Sequence, residues 1–479
     1  MPTTVGTLEL ASKYRYGLTS RGVPMYLFRP YDESLPEYVV GCSERDTSRN
    51  QIAIVDCPAG AAAAATEKPR SNLLRLLGPV GDYGAERAAL LEHYCPAKYK
   101  DEIPDEPDTA DDENRQILDA AHGWTVFHVD PPGCRDIDDA IAFHAQSRTW
   151  AIVIADAAAA VTQGSPVDMI ARRIGSTFYD TAGYAERPML PRATSEDTAS
   201  LLPGQRRRGV ALLCPPSTEP HFALVWCTVE HSTTYESVTA SPIVGPLLAG
   251  AEPHDWIAWK MLRYNAAAAR LFKDHATGIL RTQSPADAAA VATWSAVSPE
   301  LAYMASEAAI YTNACEDADQ GHAGLGLAAY AHASSPLRRY ADLQNQRILK
   351  ALIRRPSPAV HTDATLATAL NERQRANRRW ARDLLFLDLV TPGRVHEIPV
   401  VWVDAERVWV PAWKRLLRLR HEVATPAPAP GTGDCIQIFC DPTRRNWRQR
   451  VLTAPSSCVD RSTDSSRPLP LPLPLHPTS

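Results

Sequence analysis

The sequence predicts an α+β fold, in which a mixed sheet with surrounding helices lies between two small β-barrels of the OB type. Short β-rich runs separated by Gly, Pro, Asp and Ser occupy both ends of the chain. Two strand-like runs follow near residues 124–161, and long stretches with helical spacing occupy 250–390. With 479 residues, of which 45% are hydrophobic, the chain is long enough for several domains with sizeable cores.

The first predicted barrel covers residues 1–66 and is of the OB or cold-shock type. GVPMYLFRP, EYVVGCS and QIAIVDC each have the composition of a strand. Residues 67–120 are predicted to be a helical and acidic linker, because SNLLRLLG and ERAALLEHY have helical spacing. Within this linker, DEIPDEPDTADDE carries eight acidic residues and no basic one, which is typical of a solvated, mobile connector.

The predicted central domain, residues 121–392, contains a loop with four aspartates that follows the strand GWTVFHVD. They are Asp130, Asp136, Asp138 and Asp139. Like charges this close repel one another unless something neutralises them. Mg²⁺ is bound by carboxylate oxygens, and the PPG segment at 131–133 supplies a bend that lets several carboxylates face one point. The loop is therefore a candidate magnesium site, although an Asp-rich turn by itself is most often only a turn.

A second strand is predicted further along the chain. WAIVIADAAAAV, residues 150–161, is nearly all apolar, which indicates a strand buried on both faces. Asp156, at the end of the apolar run, is either a turn residue or a fifth acidic group near the site.

A second motif, SPLRRYADLQNQRILKALIRRP, predicts a helix that begins at Ser335. Serine is a good N-cap, and Pro336 suits the first helical position. The free N–H groups of a helix N-terminus attract phosphate, and Arg338 and Arg339 in the first turn would clamp that phosphate. Alternatively, one of the two arginines pairs with Asp342, one turn further on.

Together, the aspartate loop and SPLRRYADL resemble the two signature motifs of the ribonuclease II (RNB) family of 3′-to-5′ exoribonucleases. STFYDTAGYAERPMLPRATSEDTASLL, MLRYNAAAARLF and GILRTQSP follow in the family's order, so the resemblance extends over about 121–390. It implies Mg²⁺-dependent hydrolysis of single-stranded RNA from its 3′ end to nucleoside 5′-monophosphates, by a two-metal mechanism. It also implies OB-type barrels on both sides of the catalytic domain.

The resemblance assigns roles to individual residues. The implied ligands of Mg²⁺, or holders of its ligands, are Asp130, Asp136, Asp138 and Asp139. The implied catalytic residues are Asp138, Asp139 and Arg338, the arginine steadying charge on the phosphate. The candidate RNA-binding residues are Tyr179, Arg281, Arg338, Arg339 and Trp447. Tyr179 would stack on a base near the 3′ end, and the alternative is an ordinary core tyrosine.

The C-terminal part is basic and rich in predicted strands. Residues 338–450 contain 21 Lys and Arg against 11 Asp and Glu, a net charge of +10, which leaves −15 for the remainder of a chain of net charge −5. This asymmetry suggests a polyanion partner, or else solvated arginines on helix faces. RVHEIPVVWVDAERVWVPAW and GDCIQIFCDPTRRNWRQRVL predict an OB-like RNA-binding barrel at 393–454, where Trp447 offers a stacking surface.

The Pro-Leu segment at the end of the chain cannot pack as a helix or a central strand. Residues 455–479 are therefore predicted to be a disordered polyproline tail, or a docking peptide for a protein partner. No window approaches the length of a membrane span, and the ten cysteines include no C-x-x-C pair. We expect an intracellular, cytoplasmic monomer that does not bind membranes.

Two departures from the family pattern bear on activity. Gln283 in RTQSP replaces a histidine common in the family, and the helix around Trp380 is more basic than the family pattern. The four aspartates are complete, which favours an active nuclease. The alternative is a catalytically weak or inactive RNA-binding protein on the same scaffold, which would regulate RNA without cutting it.

Overall fold

The computed structural model describes residues 3–57, 68–100, 105–315, 320–355, 363, 365–389, 395–413, 415–419, 429–440 and 451–455. Within these ranges, a mixed seven-stranded sheet with helices on both faces lies between two smaller sheets in chain order. The predicted α+β class is therefore confirmed.

The N-terminal strands form one sheet in the order β5-β3-β2-β1-β4-β6. They are β1 Thr3–Leu8, β2 Met25–Pro30, β3 Tyr38–Gly41, β4 Gln51–Asp56, β5 Arg70–Ser71 and β6 Leu73–Pro79. The two outer strands are separated only by Asn72, so the sheet curls until its edges approach, as in an OB-type barrel. Leu8, Phe28 and Val55 are buried in its interior, and the three strands predicted from GVPMYLFRP, EYVVGCS and QIAIVDC are confirmed.

The helix predicted at SNLLRLLG is wrong, because Leu73–Pro79 is strand β6, paired antiparallel with β4. The register of this pair shifts twice. Each shift interrupts the alternation of inward and outward side chains by which a strand is recognised. The leucines consequently matched a helical spacing. The neighbouring helix prediction is right, since α1 spans Tyr83–Tyr94.

The acidic run is not a mobile connector in its described part, residues 105–113. Asp111 forms an ion pair with Arg354, and Asp112 forms one with Arg208 at 2.5 Å. The expectation is wrong here because arginines of the central domain neutralise the run and fix it in place. The first four residues of the run, 101–104, lie outside the described residues.

The central sheet has the order β15-β8-β9-β10-β13-β14-β7. Its strands are β7 Gln116–Leu118, β8 Trp124–Val129, β9 Asp139–His144, β10 Thr149–Ala155, β13 Arg206–Cys214, β14 His221–Thr228 and β15 His231–Thr233. The outermost pairs, β15 with β8 and β14 with β7, are parallel, and the remaining pairs are antiparallel. Two short antiparallel pairs accompany it: β11 Phe178–Tyr179 with β12 Ala185–Arg187, and β16 Ile279–Thr282 with β17 Ile310–Asn313.

Helices cover both faces of the central sheet. The helices of this part of the chain are α2 Ala157–Ala160, α3 Pro166–Ile174, α4 Pro253–Asp274, α5 Ala288–Val297, α6 Tyr340–Arg354 and α7 Leu366–Leu389; of these, α5 packs against residues of the C-terminal sheet. On one face, Val153 belongs to the same apolar core as Trp380 of α7. On the other, Ile154 shares a core with Tyr264 and Phe272 of α4. The prediction of a strand buried on both faces is confirmed up to Ala155. The end of the predicted run is instead helix α2.

Asp156, whose role the sequence left open, is neutralised by two cations. Its carboxylate lies 2.6 Å from Arg115 and 2.9 Å from Lys350, and all three side chains are buried. It also accepts a hydrogen bond from the backbone N–H of Ala159 as the N-cap of α2. Asp156 is therefore a structural anchor that joins Arg115, just after the acidic run, to the end of β10 and to α6.

The C-terminal strands form an antiparallel sheet in the order β20-β19-β18-β21-β22. They are β18 Val395–Trp402, β19 Arg407–Val410, β20 Arg415–Arg418, β21 Gly433–Cys440 and β22 Val451–Pro455. Trp402, Val408 and Ile436 are buried in its core. Residues 441–450, with Trp447, and the predicted tail at 456–479 lie outside the described residues. Among the helices that are described, none has the length and apolar character needed to cross a membrane.

Candidate active site

The aspartate loop connects the end of β8 to the start of β9. Gly133 has φ of 81°, and the backbone N–H of Cys134 donates to the carbonyl of Pro131, so the PPG segment makes the predicted bend. Ser200, which the sequence analysis did not single out, holds the loop in place through two hydrogen bonds. Its hydroxyl donates to the Arg135 carbonyl at 2.7 Å and accepts from the backbone N–H of Ile137 at 3.0 Å.

Asp138 joins the loop to the SPLRR segment, which lies 200 residues away in sequence. Its Oδ1 accepts a hydrogen bond from the backbone N–H of Leu337 at 2.9 Å, and its Oδ2 accepts one from Nε of Arg338 at 3.0 Å. The side chain is only 4% exposed. Burial raises the pKa of Asp138 to about 7, while Arg338 and the Leu337 amide act in the opposite direction. The structure therefore brings together the two motifs that the sequence singled out.

The helix of the second motif begins later than the sequence predicted. Helix α6 starts at Tyr340, and Arg339 is its N-cap residue, without a side-chain capping bond. The carboxylate of Asp342 accepts from the Ser335 amide at 2.9 Å, and the Tyr340 amide donates to the carbonyl of Gly175. The predicted helix start at Ser335 is therefore wrong, because the helix begins only at Tyr340. Phosphate binding by this segment stays a prediction.

The two arginines of the motif have different partners. Arg339 pairs with Asp342 at 2.8 Å, which is the pairing that the sequence left as an alternative. Arg338 donates to Asp138 and, through Nη2, to the Ser335 hydroxyl at 3.0 Å. Its side chain is still 41% exposed, so a fixed guanidinium faces solvent beside the aspartate loop.

Tyr179 lies at the aspartate loop and is not an isolated core residue. Its hydroxyl donates to Oδ2 of Asp136 at 2.7 Å, and the indole N–H of Trp380 donates to its carbonyl at 2.9 Å. Burial, and then the charge of Asp136, raise the pKa of this phenol. The thiol of Cys134 contacts the other oxygen of Asp136, at 3.6 Å.

The remaining two aspartates, Asp130 and Asp139, accept fewer hydrogen bonds. Asp130 accepts a hydrogen bond from Nδ1 of His128 through Oδ2 at 2.8 Å, and no described residue donates to its Oδ1. The carboxylate of Asp139 accepts no hydrogen bond from any described residue, and its backbone begins β9. Burial, and then the charges of Asp130 and Asp138, raise the pKa of Asp139 well above its usual range.

Tyr235 lies within electrostatic reach of the aspartate loop, and the sequence analysis did not single it out. Burial raises the pKa of its phenol, and the charges of Asp139 and Asp130 raise it further. Its ring stacks on that of His254 at the start of α4, with the centroids 3.8 Å apart. No sequence signal marks it, because these two residues are brought together only by the fold.

Basic side chains gather next to the site around Arg281. The residue is 6% exposed, its guanidinium lies 4.7 Å from the ring centre of Tyr311, and its Nη1 donates to Gln374 of α7. Burial lowers the pKa of Arg281, and the nearby charges of Arg378 and Arg339 lower it further. This cluster is suited to an anion. Trp447, the last RNA-binding candidate, lies outside the described residues.

Gln283, the departure noted in RTQSP, has a structural contact. Its side-chain oxygen accepts from the amide of Gly324 at 3.0 Å, and its side-chain nitrogen donates to the carbonyl of Glu307 at 2.8 Å. The residue therefore holds two loops together beside the basic cluster.

The carboxylates fit a magnesium ion in donor chemistry but do not form a complete cage. In the parts of the chain that are described, no three His, Cys, Asp or Glu side chains converge as metal ligands do. Mg²⁺ does not require such a cage, since it is commonly held by one or two carboxylates and completed by water and substrate phosphate. Asp130 and Asp139, with unused oxygens and mutual repulsion, are the pair that a cation would neutralise.

Comparison with known proteins finds an RNB domain in this chain. Residues 119–239 and 250–355 match the family model described as the RNB domain. Exoribonuclease 2 of Sodalis glossinidius is 27% identical over 351 residues, which cover 53% of this chain and 54% of that protein. Exoribonuclease 2 of Edwardsiella piscicida is 49% identical over 63 residues, or 13% of this chain and 10% of that protein. These matches support an RNB-family ribonuclease, as the resemblance indicated, and the chain spans at most about half the length of these relatives.

Solved structures share the fold at lower identity. The apo form of Mycoplasma genitalium RNase R aligns with a TM-score of 0.70 at 14% identity, covering 95% of this chain and 90% of that one. Yeast Ssd1, described as a pseudonuclease, aligns with a TM-score of 0.67 at 17% identity, covering 87% and 65%. The same fold is thus found in a protein named as a ribonuclease and in one named as a pseudonuclease.

Proposed function

We propose that this chain is a Mg²⁺-dependent exoribonuclease that degrades single-stranded RNA from its 3′ end and releases nucleoside 5′-monophosphates. The observation that carries the proposal is the link between Asp138 and Arg338, which puts a fixed guanidinium beside a loop of four carboxylates. The match of residues 119–239 and 250–355 to the RNB domain supports the same reaction class. Related structures of Mycoplasma genitalium RNase R contain single-stranded and double-stranded RNA, which supports RNA as the ligand class.

In this proposal the four aspartates have two different roles. Asp130 and Asp139 would hold the metal, and Asp136 and Asp138 would add their charge while fixing Tyr179 and Arg338. Bound Mg²⁺ would supply an activated water and stabilise the leaving oxygen, which is the two-metal scheme.

Arg338 contributes from the chain itself, because its half-exposed guanidinium can donate to the phosphate oxygens as charge develops on them. Arg281 and Arg339 would position the neighbouring phosphates. Tyr179 would contact the terminal nucleotide, since its hydroxyl is held at the aspartate loop.

The second candidate is an RNA-binding protein on the same scaffold that does not cut RNA. Two observations favour it: both oxygens of Asp138 already accept hydrogen bonds, and the described residues contain no three-ligand metal cage. We prefer the enzyme because Asp130 and Asp139 retain unused oxygens. A loss of catalysis would most simply remove such carboxylates.

The localisation, oligomeric state and protein partner are also proposals. We propose a cytoplasmic monomer that does not bind membranes and whose Pro-Leu tail is disordered or docks onto a protein partner. Eight of the cysteines in the described residues are free thiols, which suits a reducing compartment.

The polarity of degradation tests the proposed activity. A short single-stranded RNA labelled at its 5′ end should shorten step by step from the unlabelled end. A blunt duplex should resist unless it carries a 3′ overhang, because the buried carboxylates are reached by a single strand. The products are resolved on a sequencing gel. Internal cuts, or degradation that begins at the 5′ end, would contradict the proposal.

Trp447 is predicted to contribute to RNA binding by stacking. Trp447→Ala should weaken binding of single-stranded RNA by roughly 1–3 kcal/mol, measured by fluorescence anisotropy at fixed salt concentration. Trp259→Ala is a matched control, because Trp259 is 51% exposed on α4 and has no assigned role in RNA binding. Equal affinities of the two variants and the wild type would remove Trp447 from the proposed interface.

A further inference from the structure

The aspartate loop is preceded by a buried histidine that contacts one of its carboxylates. His128 lies on β8, and Asp130, two residues further on, directly follows the end of this strand at Val129. The ring is 4% exposed, and its Nδ1 lies 2.8 Å from Oδ2 of Asp130. An ionised carboxylate only accepts hydrogen bonds, so Nδ1 carries the proton in this contact.

The second ring nitrogen of His128, Nε2, indicates that the hydrogen bond to Asp130 is the main polar interaction of this ring. Nε2 is buried and has no hydrogen-bond partner among the described residues. Burial of an unpaired polar atom costs free energy, and an apolar side chain would fill this position on β8 without that cost. The hydrogen bond to Asp130 therefore offsets the free-energy cost of burying Nε2.

Strand β15 fixes the backbone of both residues. The hydroxyl of Thr233 donates to the carbonyl of His128 at 2.9 Å, and the amide of Asp130 donates to the carbonyl of Thr233 at 3.2 Å. Because β15 holds the backbone, only the rotation of the Asp130 carboxylate about its side-chain bonds remains to be fixed. The imidazole of His128 fixes that rotation and leaves Oδ1 without a donor among the described residues.

We infer that His128 is a positioning residue, which orients the Asp130 carboxylate so that Oδ1 faces a bound divalent cation. The inference rests on the proposed function, because it takes Asp130 as a ligand of that cation. Carboxylates that bind metals are commonly held by an outer hydrogen-bond partner. Removal of such a partner typically lowers metal affinity by about 10- to 100-fold.

Binding of Mn²⁺, as a spectroscopic probe for the divalent cation, tests the inference without any cleavage assay. The full-length protein is titrated with Mn²⁺, and the free ion is followed by electron paramagnetic resonance. His128→Ala should raise the Kd for Mn²⁺ by about 10- to 100-fold. His128→Asn should stay close to wild type, because its amide nitrogen can replace Nδ1, whereas His128→Gln places its amide nearer Nε2 and should behave like the alanine variant.

A second histidine–aspartate pair supplies the control. His122 lies 2.7 Å from Asp119 on the exposed turn before β8, and its side chain is 54% exposed. His122→Ala removes a similar hydrogen bond away from the loop and should leave the Mn²⁺ affinity unchanged. In cleavage assays, His128→Ala should need more Mg²⁺ for half-maximal rate, with the rate at saturating Mg²⁺ close to wild type.

The outcomes separate the inference from the proposed function. If the wild type binds Mn²⁺ and the Asn and Gln variants have equal affinity, His128 does not orient Asp130, and the inference is overturned while the nuclease proposal stands. If the wild type binds no Mn²⁺, both the metal part of the proposed function and the inference fail. The Asn–Gln comparison decides the matter even if His128→Ala does not fold.

Discussion

Asp138→Asn should lower the rate of mononucleotide release by about three orders of magnitude while RNA binding is retained. Asparagine can still accept from the Leu337 amide, but its own N–H₂ group would face the donor Nε of Arg338. The guanidinium would therefore lose its anchor beside the scissile phosphate. Single-turnover cleavage of labelled RNA gives the rate, and anisotropy with the same RNA gives the affinity.

Two further variants make this prediction specific. Asp197→Asn is the matched control, since Asp197 pairs with Arg207 at 3.1 Å but is 64% exposed on the surface. It should leave rate and affinity unchanged. Arg338→Ala should reduce the rate to a similar extent, and adding Asp138→Asn to it should cost little more, because the aspartate acts partly through the arginine. A wild-type rate for Asp138→Asn would refute this role, and parallel losses of melting temperature, binding and rate would make Asp138 merely structural.

Asp139→Asn should abolish turnover and yet stabilise the metal-free protein at alkaline pH. The pKa of Asp139 is raised in the folded protein by burial and by Asp130 and Asp138, relative to an ordinary value of 3.8. A raised pKa in the folded state means that stability is fully present below pH 3.8 and is lost as the pH rises and the buried carboxyl ionises. Asparagine carries no charge, so it avoids this loss.

Thermal melts in EDTA between pH 4 and pH 8 measure this effect. The melting temperature of Asp139→Asn should match the wild type near pH 4 and exceed it increasingly toward pH 8. Added Mg²⁺ should stabilise the wild type more than the variant, because only the wild type presents the full ligand pair. Equal melting curves at every pH, with or without Mg²⁺, would mean that Asp139 is neither strained by its neighbours nor a metal ligand.

Asp112, whose pKa is shifted in the opposite direction, provides a control for the direction of the predicted change in stability. The hydrogen bond from Arg208 holds the pKa of Asp112 below its usual value. That contribution to stability is present above the unfolded pKa and is lost as the pH falls through the folded pKa. Asp112→Asn should therefore lower the melting temperature at pH 8, whereas Asp139→Asn raises it.

The parts of the site that lie within one short segment could be predicted from the sequence. The strand before the aspartate loop, the bend at Gly133 and the pairing of Arg339 with Asp342 all depend on residues a few positions apart. Local propensity and spacing determine such features. The resemblance to the RNB family added the expectation that the two motifs act together.

The parts that depend on distant residues could not be predicted in this way. The start of α6 moved to Tyr340 because Gly175, far away in sequence, accepts the first amide of the helix. The hydrogen bond between His128 and Asp130 joins residues two positions apart, but the burial of the ring is set by the sheet. The acidic run became ordered because Arg208 and Arg354 meet it in the fold, and its composition alone contains no sign of those partners.

Release of nucleoside 5′-monophosphates from a 3′-labelled single-stranded RNA tests the central claim most directly. The purified full-length protein is compared with its Asp138→Asn variant, each with Mg²⁺ and with EDTA, and the products are identified by mass spectrometry. We predict 5′-monophosphates from the wild type in Mg²⁺ alone, at a rate about 10³-fold above the variant. Absence of Mg²⁺-dependent release, with RNA still bound, would contradict the nuclease proposal and favour the RNA-binding scaffold.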